Sequence, residues 1–381
     1  MGGAARPRNL TVDTAVTYLL AHDLVTVAAI VDGDLEIVDA GRRNQNLKVI
    51  RRRGPSFLVK QPGEGERGTL ATLRAEVAFY EHCRGIEAMR PLLPALCVSD
   101  RERGLIVLEL IDGQPLWSHY AAAPEADFLS QAAAPLGRAL GTVHRTFREP
   151  AGGPWEATLD DTHPWVLGVH KPTPDIFAAL SPANLHVICE LQQNPPIASG
   201  LNRLRASWRP TTVIHNDLKG DNVLISVGNG QTRVSIIDWE MAQRGDAAWD
   251  VGAMLRDFLG YWLNSVPLSS DLTPEDMLAR SRWPLSRLHP SARAFWQAYC
   301  ASGALDGVDA GTFLVRCICS AAARLVQSAY ELSLNQQQVS NLAMAMLQLA
   351  ANIFANPQEA SLHLFGIPAP WRTREHAASV A

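Results

Sequence analysis

The sequence has few of the features that mark secreted, metal-rich or membrane proteins. Its six cysteines are scattered through 381 residues, and none stands in the spacing of zinc ligands. No apolar run approaches the length of a membrane span, and the first residues do not resemble a signal peptide. We therefore expect reduced, buried thiols in a cytoplasmic protein without a membrane partner.

A strong charge of either sign is also missing. The sequence holds 34 Lys and Arg residues against 38 Asp and Glu residues, so its formal net charge is −4. The sequence therefore has no excess of basic residues that could bind phosphates, and we expect no nucleic acid as a partner. What the sequence does have is length and 47% hydrophobic residues, enough for a sizeable core in two or three domains or in one two-lobed unit.

The first part of the chain has the texture of a small, β-rich lobe. Short polar or Gly-containing turns separate three β-rich segments, which predicts an antiparallel meander. The expected elements are a helix at 11–25, strands at 35–41, 46–54 and 56–62, a helix at 69–85 and a strand within 104–113. We expect a flexible tail at 1–10 and an N-lobe at 11–112.

Beyond residue 113 the pattern is mostly helical. Two short strands interrupt it at 223–227 and 233–237, and Gly228-Asn229-Gly230 between them predicts a hairpin turn. The expected helical regions are 126–148, most of 175–208, 248–264, 288–300 and 311–355, with a Pro-rich loop at 150–174. The chain is therefore expected to be α+β, with a larger helical C-lobe at 113–381.

One polar stretch, HNDLKGDN at 215–222, lies between two apolar strands. Phosphoryl transfer needs a carboxylate that accepts the proton of the attacking hydroxyl, and oxygen ligands for magnesium on a triphosphate. Asp217 fits the base, and Asn222 fits a metal ligand. Asp238, 21 positions beyond Asp217 at the end of the next strand, fits a second metal ligand. A lone His-x-Asp is weak evidence, but this longer pattern is specific.

The pattern resembles the protein-kinase-like superfamily and, within it, the aminoglycoside phosphotransferase family. The resemblance covers almost the whole chain and implies a two-lobed protein-kinase-like fold that uses ATP and Mg²⁺. It implies that Lys60, at the end of a strand, pairs with Glu76 on the following helix; Glu81 is a weaker candidate for the partner. It also implies an adenine-binding hinge around Glu109 to Ile111.

Further site residues follow from the same resemblance. The loop expected to cover the phosphates is poor in glycine, with only Gly41, so Arg42, Arg43 or Asn44 would replace backbone contacts. Asp250 would accept hydrogen bonds from the catalytic-loop backbone. Plainer interpretations stay open: Lys60 as an exposed lysine at a strand end, and Glu76 as a solvated helix charge.

The sequence departs from a regulated protein kinase at three points. Trp239-Glu240 follows Asp238 in place of Phe-Gly, and only twelve positions separate Asp238 from Asp250. Asn216 stands where regulated kinases often carry Arg, so a loop phosphate would find no partner there. We expect an enzyme that activation-loop phosphorylation does not switch.

The identity of Lys219 indicates which class of acceptor the enzyme would use. A Lys two positions after the base is usual in serine/threonine protein kinases, where it contacts the transferring phosphate, whereas many antibiotic kinases have His there. The segments 164–188, 238–255 and 258–268 also resemble phosphotransferase-like proteins that accompany Hop-effector-type lyases. Such pairs make ribosomal peptide natural products, the thioamitides and some lanthipeptides.

This second resemblance implies a kinase of Ser and Thr in a precursor peptide, in a heteromer with a lyase that eliminates phosphate to leave a dehydroamino acid. Two alternatives stay open. One is a small-molecule O-phosphotransferase that acts on an antibiotic or a metabolite. The other is a pseudokinase scaffold, against which the retention of Lys60, Asp217, Asn222 and Asp238 argues.

Overall fold

A computed structural model of the chain describes residues 9–41, 45–63, 67–122, 127–148, 155, 159–177, 180–228, 230–269 and 271–368. The chain forms two compact units. The first runs to Gln114 and also includes Leu224–Val227 and Ser235–Ala242, and the second comprises the rest of the chain. The expected α+β composition, with a β-rich beginning and a helical remainder, is confirmed.

The first unit is built on a five-stranded sheet whose strands, in the order β1-β2-β3-β5-β4, pair antiparallel with their neighbours. Its elements are α1 (Val12–Ala21), α2 (Val27–Val31), β1 (Leu35–Asp39), β2 (Gln45–Arg51), β3 (Phe57–Gln61), α3 (Arg67–Cys83), β4 (Leu96–Asp100) and β5 (Leu105–Glu109). The predicted meander of the first three strands is confirmed. The fourth strand was not predicted, because its half-buried residues show no clean alternation.

The helix expected at 11–25 is shorter than predicted. Thr11 caps its start, since its side chain accepts the backbone N–H of Thr14, and the helix ends at Ala21. Asp23 then adopts a left-handed conformation with φ of 55°, which no helix continues through. The buried face of α1 carries Ala15 and Leu19, which join the sheet core of this unit.

The second unit is mainly helical. Its strands are β7 (Thr212–Ile214) and β10 (Gln243–Gly245), while β6 (Gln114–Pro115), β8 (Val223–Gly228) and β9 (Gln231–Ile236) have residues in both units. Its helices are α4 (Leu116–Ala122), α5 (Asp127–Thr146), α6 (Pro174–Phe177), α7 (Pro182–Gln193), α8 (Pro195–Ala206), α9 (Ala247–Leu263), α10 (Pro274–Ala279), α11 (His289–Cys300), α12 (Ala310–Leu332), α13 (Asn341–Ala355) and α14 (Pro357–Phe365).

Two helices, α9 and α12, form the centre of this unit. Nearly every residue of α9 is buried, and α12 packs along it. The two backbones approach closely at Gly252, where an added Cβ would lie 2.6 Å from the carbonyl oxygen of Cys317. A larger residue would force the helices apart, so this glycine sets the spacing of the central pair.

The helical region predicted over 311–355 is confirmed and consists of α12 and α13, because Ser340 caps a new start at α13. The Pro-rich stretch at 150–174 contains a short 3₁₀ helix at Trp165–Gly168 within its described part. β8 and β9 are neighbours in a small sheet of order β6-β8-β9, as the hairpin prediction requires, although Asn229 of the turn lies outside the described residues.

No helix in the described part of the chain combines the length and the apolar character needed to cross a bilayer.

Candidate active site

The first cluster of predicted site residues lies in the first unit and centres on Lys60. The Lys60 ammonium donates to both carboxylate oxygens of Glu76, at 2.8 and 2.6 Å, and to Oδ1 of Asp238 at 2.7 Å. Lys60 and Glu76 are buried, which contradicts their plainer interpretation as solvated charges. Glu81 instead accepts hydrogen bonds from Ser99 and Arg101. The pairing implied by the resemblance is therefore formed with Glu76.

Local structure explains how two charges come to be buried here. Lys60 lies on β3, a strand whose burial reflects neighbours on both sides, since β3 pairs with β2 and β5. On α3, Glu76 shares its face with Leu73, Val77 and Tyr80, all buried. These positions follow the three- and four-residue spacing of one helix face. An acid in the middle of an apolar helical stripe is the sequence signal that separates Glu76 from Glu81.

The charges of this cluster change each other's ionisation. Burial raises the pKa of Glu76 to about 7, and the Asp238 carboxylate adds to the shift, while Lys60 opposes it. Burial alone would lower the pKa of Lys60, but the carboxylates of Glu76 and Asp238 outweigh burial and raise that pKa. The ammonium therefore stays protonated, and the carboxyl of Glu76 is the group that titrates near neutral pH.

A change of Glu76 to Gln should therefore alter how stability depends on pH. Because the folded-state pKa of Glu76 is raised from its ordinary 4.5 to about 7, its folded form binds the proton more tightly than the unfolded chain. Its ionisation thus removes stability as the pH rises through this window. We expect the unfolding free energy of Glu76→Gln, relative to wild type, to increase between pH 4.5 and pH 7. Denaturant unfolding at both pH values measures this difference, and a constant offset would contradict it.

Asp238 is held in place by its neighbours in the chain. Its backbone is left-handed, with φ of 68°, a conformation that Asp and Asn tolerate better than most residues. Trp239 follows it, is fully buried, and stacks on Phe79 of α3 with ring centroids 4.2 Å apart and planes 12° apart. The indole N–H donates to the carbonyl oxygen of Ile236. The Trp that replaces the usual Phe therefore anchors the Asp238 segment to the helix that carries Glu76.

The second cluster lies in the second unit, on the loop between β7 and β8. Lys219 Nζ donates to Oδ2 of Asp217 at 2.7 Å. The side-chain amide of Asn222 donates to the main-chain carbonyl oxygen of Asp217 at 2.9 Å, which fixes the amide plane and leaves the amide oxygen to act as an acceptor or ligand. Asp217 remains partly exposed, so its carboxylate can meet a substrate.

Buried carboxylates clamp the backbone of this loop. Asp250 accepts the N–H groups of His215 and Asn216, at 2.6 and 3.1 Å, which confirms the role expected for it. Burial alone would raise the pKa of Asp250, but the nearby His144 and His215 outweigh burial and lower it. Asp257 accepts the N–H of Gly220 at 2.8 Å. Burial raises the pKa of Asp257, and Arg256 opposes the shift.

Arg324 is a site residue that sequence reasoning missed. This α12 side chain is mostly buried and lies 3.7 Å from Asp217 Oδ1. Its guanidinium also donates to the carbonyl oxygens of Asn216 and Leu218, which flank Asp217, at 3.5 and 3.4 Å. Gln327 braces it at 2.9 Å. A buried Arg within the apolar run AAARLV was the available signal.

The comparisons with known proteins agree with this geometry. The model of the phosphotransferase enzyme family matches residues 34–273, more than half of the chain. This chain belongs to the phosphotransferase enzyme family. No curated protein matches the sequence significantly.

Solved structures share the fold of this phosphotransferase at low sequence identity. A choline kinase from Cryptosporidium parvum Iowa II has a TM-score of 0.55 and 14% identity, over 92% of this chain and 98% of that one. The GDP complex of wild-type aminoglycoside 2'-phosphotransferase-IIIa has a TM-score of 0.53 and 15% identity, over 90% and 98%. ADP-bound aminoglycoside phosphotransferase APH(2'')-Ib has a TM-score of 0.51 and 13% identity, over 91% and 99%. The expected protein-kinase-like fold is thereby confirmed.

The phosphotransferase lacks the long segment that is regulated in protein kinases, as expected. After Asp238 the chain forms a 3₁₀ helix at Trp239–Met241, then β10, and Asp246 caps α9. Asn216 adopts a left-handed conformation with φ of 67°, and its side-chain amide donates to Gln243 of β10 at 3.0 Å. Asn suits this position because it tolerates positive φ at a small cost.

The remaining predicted residues of the phosphotransferase stay predictions. Glu109 ends β5, with its N–H bonded to the carbonyl oxygen of Ala95, and Ile111 follows in a half-buried position. The N–H of Gly41 donates to the Asp39 side chain. Asn44, with the neighbouring arginines of the expected phosphate loop, lies outside the described residues.

Proposed function

We propose that this phosphotransferase transfers the γ-phosphoryl group of ATP to Ser or Thr hydroxyls of a precursor peptide. A Hop-effector-type lyase then removes the α-proton and expels the phosphate, which leaves a dehydroamino acid. The observation that carries the proposal is the ion pair of Lys219 with Asp217, at 2.7 Å. A base and a cation on one short loop suit an aliphatic hydroxyl that loses its proton while it gains a phosphoryl group.

The donor side of the proposal rests on side chains of the right chemistry. Asp238 and Asn222 offer the oxygen ligands that Mg²⁺ prefers, and Mg²⁺ on a nucleotide is held by one or two carboxylates with the phosphates. In the described part of the chain, no three or more His, Cys, Asp or Glu side chains are grouped in a way that could hold a metal by themselves. A metal held by Asp238 and Asn222 would therefore share its coordination with the phosphates. Bound Mg²⁺ would neutralise charge on the phosphates. Lys60, fixed by Glu76, supplies the protein's own cation to them.

The acceptor side follows from the base and its supports. Asp217 orients the attacking hydroxyl and accepts its proton as the oxygen–phosphorus bond forms. Lys219 offsets the negative charge that gathers there, and Arg324 holds the loop on both sides of the base. Six hydrogen bonds hold the loop backbone around the carboxylate: Asp250 and Asp257 accept three, and Asn222 and Arg324 donate three. Such positioning contributes a large share of the rate in phosphoryl transfer.

A small-molecule acceptor is the competing function. Aminoglycosides are polycations, and a site for them would be expected to present several acids. Helices α12 and α13 of the second unit carry one acidic residue, Glu331. This low acidity favours a less charged acceptor, and a peptide meets that requirement.

Mass spectrometry of acceptors incubated with the protein, ATP and magnesium tests the proposal. We expect a mass gain of one phosphate on Ser or Thr of a precursor peptide, and loss of that phosphate when the lyase is added. A Ser-to-Ala, Thr-to-Ala peptide is the matched control. Phosphorylation of an aminoglycoside or another small molecule, with none on any precursor peptide, would overturn the proposal.

The lyase is proposed as a partner because the phosphopeptide must reach a second active site. Holding two sites together raises the effective concentration of the second to about millimolar for short linkages. We expect a complex of the two proteins, either stable or dependent on the leader peptide. Size-exclusion chromatography of the mixed proteins, with and without precursor peptide, measures it, and separate elution in both cases would contradict it.

A further inference from the structure

An open pocket of about 340 Å³ lies in the second unit between α9, α12 and α13. Its polar lining consists of Arg256 from α9, Asn264 directly after the end of α9, and Ser328 and Glu331 from α12. Arg256 donates to the Ser328 hydroxyl, which in turn donates to the carbonyl oxygen of Arg324. The polar groups are therefore ordered before any ligand enters, which lowers the entropy cost of binding.

The opposite wall of the pocket is apolar. It is formed by Leu332, Leu342 and Met346, and Met346 is buried while Leu332 is about half exposed. One cation and one anion in the polar lining leave the pocket without net charge. A ligand that suits it has a hydrogen-bond donor, a hydrogen-bond acceptor and apolar surface, and no net charge. A peptide segment offers these groups, because each residue has a C=O and an N–H beside its side chain.

Two chains of polar contacts connect this pocket with the catalytic loop. In the first, Arg256 Nη1 lies 3.2 Å from Asp257, whose other oxygen accepts the N–H of Gly220 at 2.8 Å. The loop is tightly seated there, since a Cβ on Gly220 would lie 2.8 Å from the Asp257 carboxylate and 2.9 Å from the Trp117 ring. A ligand that moves Arg256 would therefore act on the loop through one intermediate residue.

The second chain of contacts runs along α12. Glu331 accepts from Gln327 at 2.8 Å, and Gln327 accepts from Arg324 at 2.9 Å. Arg324 reaches the backbone on both sides of Asp217 and lies 3.7 Å from its carboxylate. Glu331, which lines the pocket, is thus connected through Gln327 to Arg324, which holds the loop of Asp217.

The separation of the pocket from the base suits a peptide. Arg324 and Glu331 are seven residues apart on one helix, a rise of about 10 Å. An extended peptide covers about 10 Å with three residues. A Ser or Thr at Asp217 would therefore place a residue two or three positions away at the pocket.

We propose that this pocket binds an uncharged segment of the peptide acceptor two or three residues from the phosphorylated Ser or Thr, and that Arg256 and Glu331 recognise its backbone. This inference rests on the proposed function. It assigns acceptor recognition to residues of α9, α12 and α13, and it links occupancy of the pocket to the position of the catalytic loop.

The test compares two tryptophan variants on one helix. Met346→Trp fills the pocket, and Met344→Trp adds the same side chain two positions away, where Met344 is exposed and does not line the pocket. With a Ser-containing precursor peptide, we expect Met346→Trp to raise KM for the peptide by about tenfold or more. Met344→Trp should leave KM unchanged. Met344→Trp should also match wild type in the slow hydrolysis of ATP without peptide.

A second variant covers the case in which Met346→Trp fails to fold. Glu331 is exposed, so Glu331→Ala should keep the wild-type melting temperature, and we expect it to raise KM for the peptide by about tenfold. If wild type phosphorylates the peptide and a folded Met346→Trp or Glu331→Ala retains its KM, the pocket is not the recognition site and the proposed function stands. If wild type phosphorylates no peptide, the proposed function fails, and the pocket inference fails with it.

Discussion

The Asp217→Asn variant should transfer phosphoryl groups more slowly than wild type by on the order of 10²–10⁴-fold, the contribution of a positioned general base. Asn has the size of Asp but cannot accept the proton of the acceptor hydroxyl. The loop should keep its shape, because Asp250, Asp257 and Arg324 hold its backbone rather than the Asp217 side chain. Single-turnover rates with acceptor measure the change, and calorimetry should show nucleotide affinity close to that of wild type.

A matched control for this variant lies in the same loop. Asp221 is exposed, and its change to Asn removes an equal charge four positions from the base. We expect Asp221→Asn to keep turnover near the wild-type value. Equal rates for wild type and Asp217→Asn would show that Asp217 is not the base.

Asp238→Asn should impair the use of magnesium. The change removes the charged ligand proposed for magnesium and leaves the Lys60 ammonium with Glu76 as its remaining carboxylate partner in this cluster. Groups that only support a metal ligand cost about 10–100-fold in affinity or activity when mutated, so we expect at least that loss here. Asn also tolerates the left-handed backbone at this position, so the fold should be retained.

The magnesium dependence of the rate measures this effect. We expect Asp238→Asn to need a higher magnesium concentration for half-maximal rate, whereas Asp217→Asn should need the same concentration as wild type. This contrast separates a metal ligand from a base. An unchanged magnesium dependence in Asp238→Asn would show that its carboxylate does not hold the metal.

The site residues that could be predicted are those that lie close together in the sequence, within a short motif or at the end of a strand. Asp217, Lys219 and Asn222 occupy one eight-residue motif, and a strand end marks Asp238. Helical spacing could have chosen Glu76 over Glu81. Glu76 has the apolar residues Leu73, Phe79 and Tyr80 three or four positions away on both sides, whereas Glu81 has Val77 on one side and Arg84 and Gly85 on the other. The partnership of Glu76 with Lys60, in contrast, came from the resemblance to a family.

The supports of the site could not be predicted, because they depend on contacts between distant parts of the chain. Arg324 bonds to Leu218 across 106 positions, and Asp257 bonds to Gly220 across 37. A helical pattern shows that α12 exists but not which of its residues meets the loop. Strand β10 is three residues long, too short for an alternating pattern, and it forms because it pairs with β7, which the apolar stretch before His215 predicted.

The stacking of Trp239 on Phe79 bears on how the flux through this enzyme is controlled. In protein kinases the position of the helix that carries the conserved Glu, and the packing of the aromatic residue after the metal-binding Asp, are adjusted to turn activity on and off. Here a fully buried indole already joins the two, so no incoming signal is needed to assemble them. Under the proposed function, the output of the enzyme then follows the supply of acceptor peptide rather than a switch within the fold.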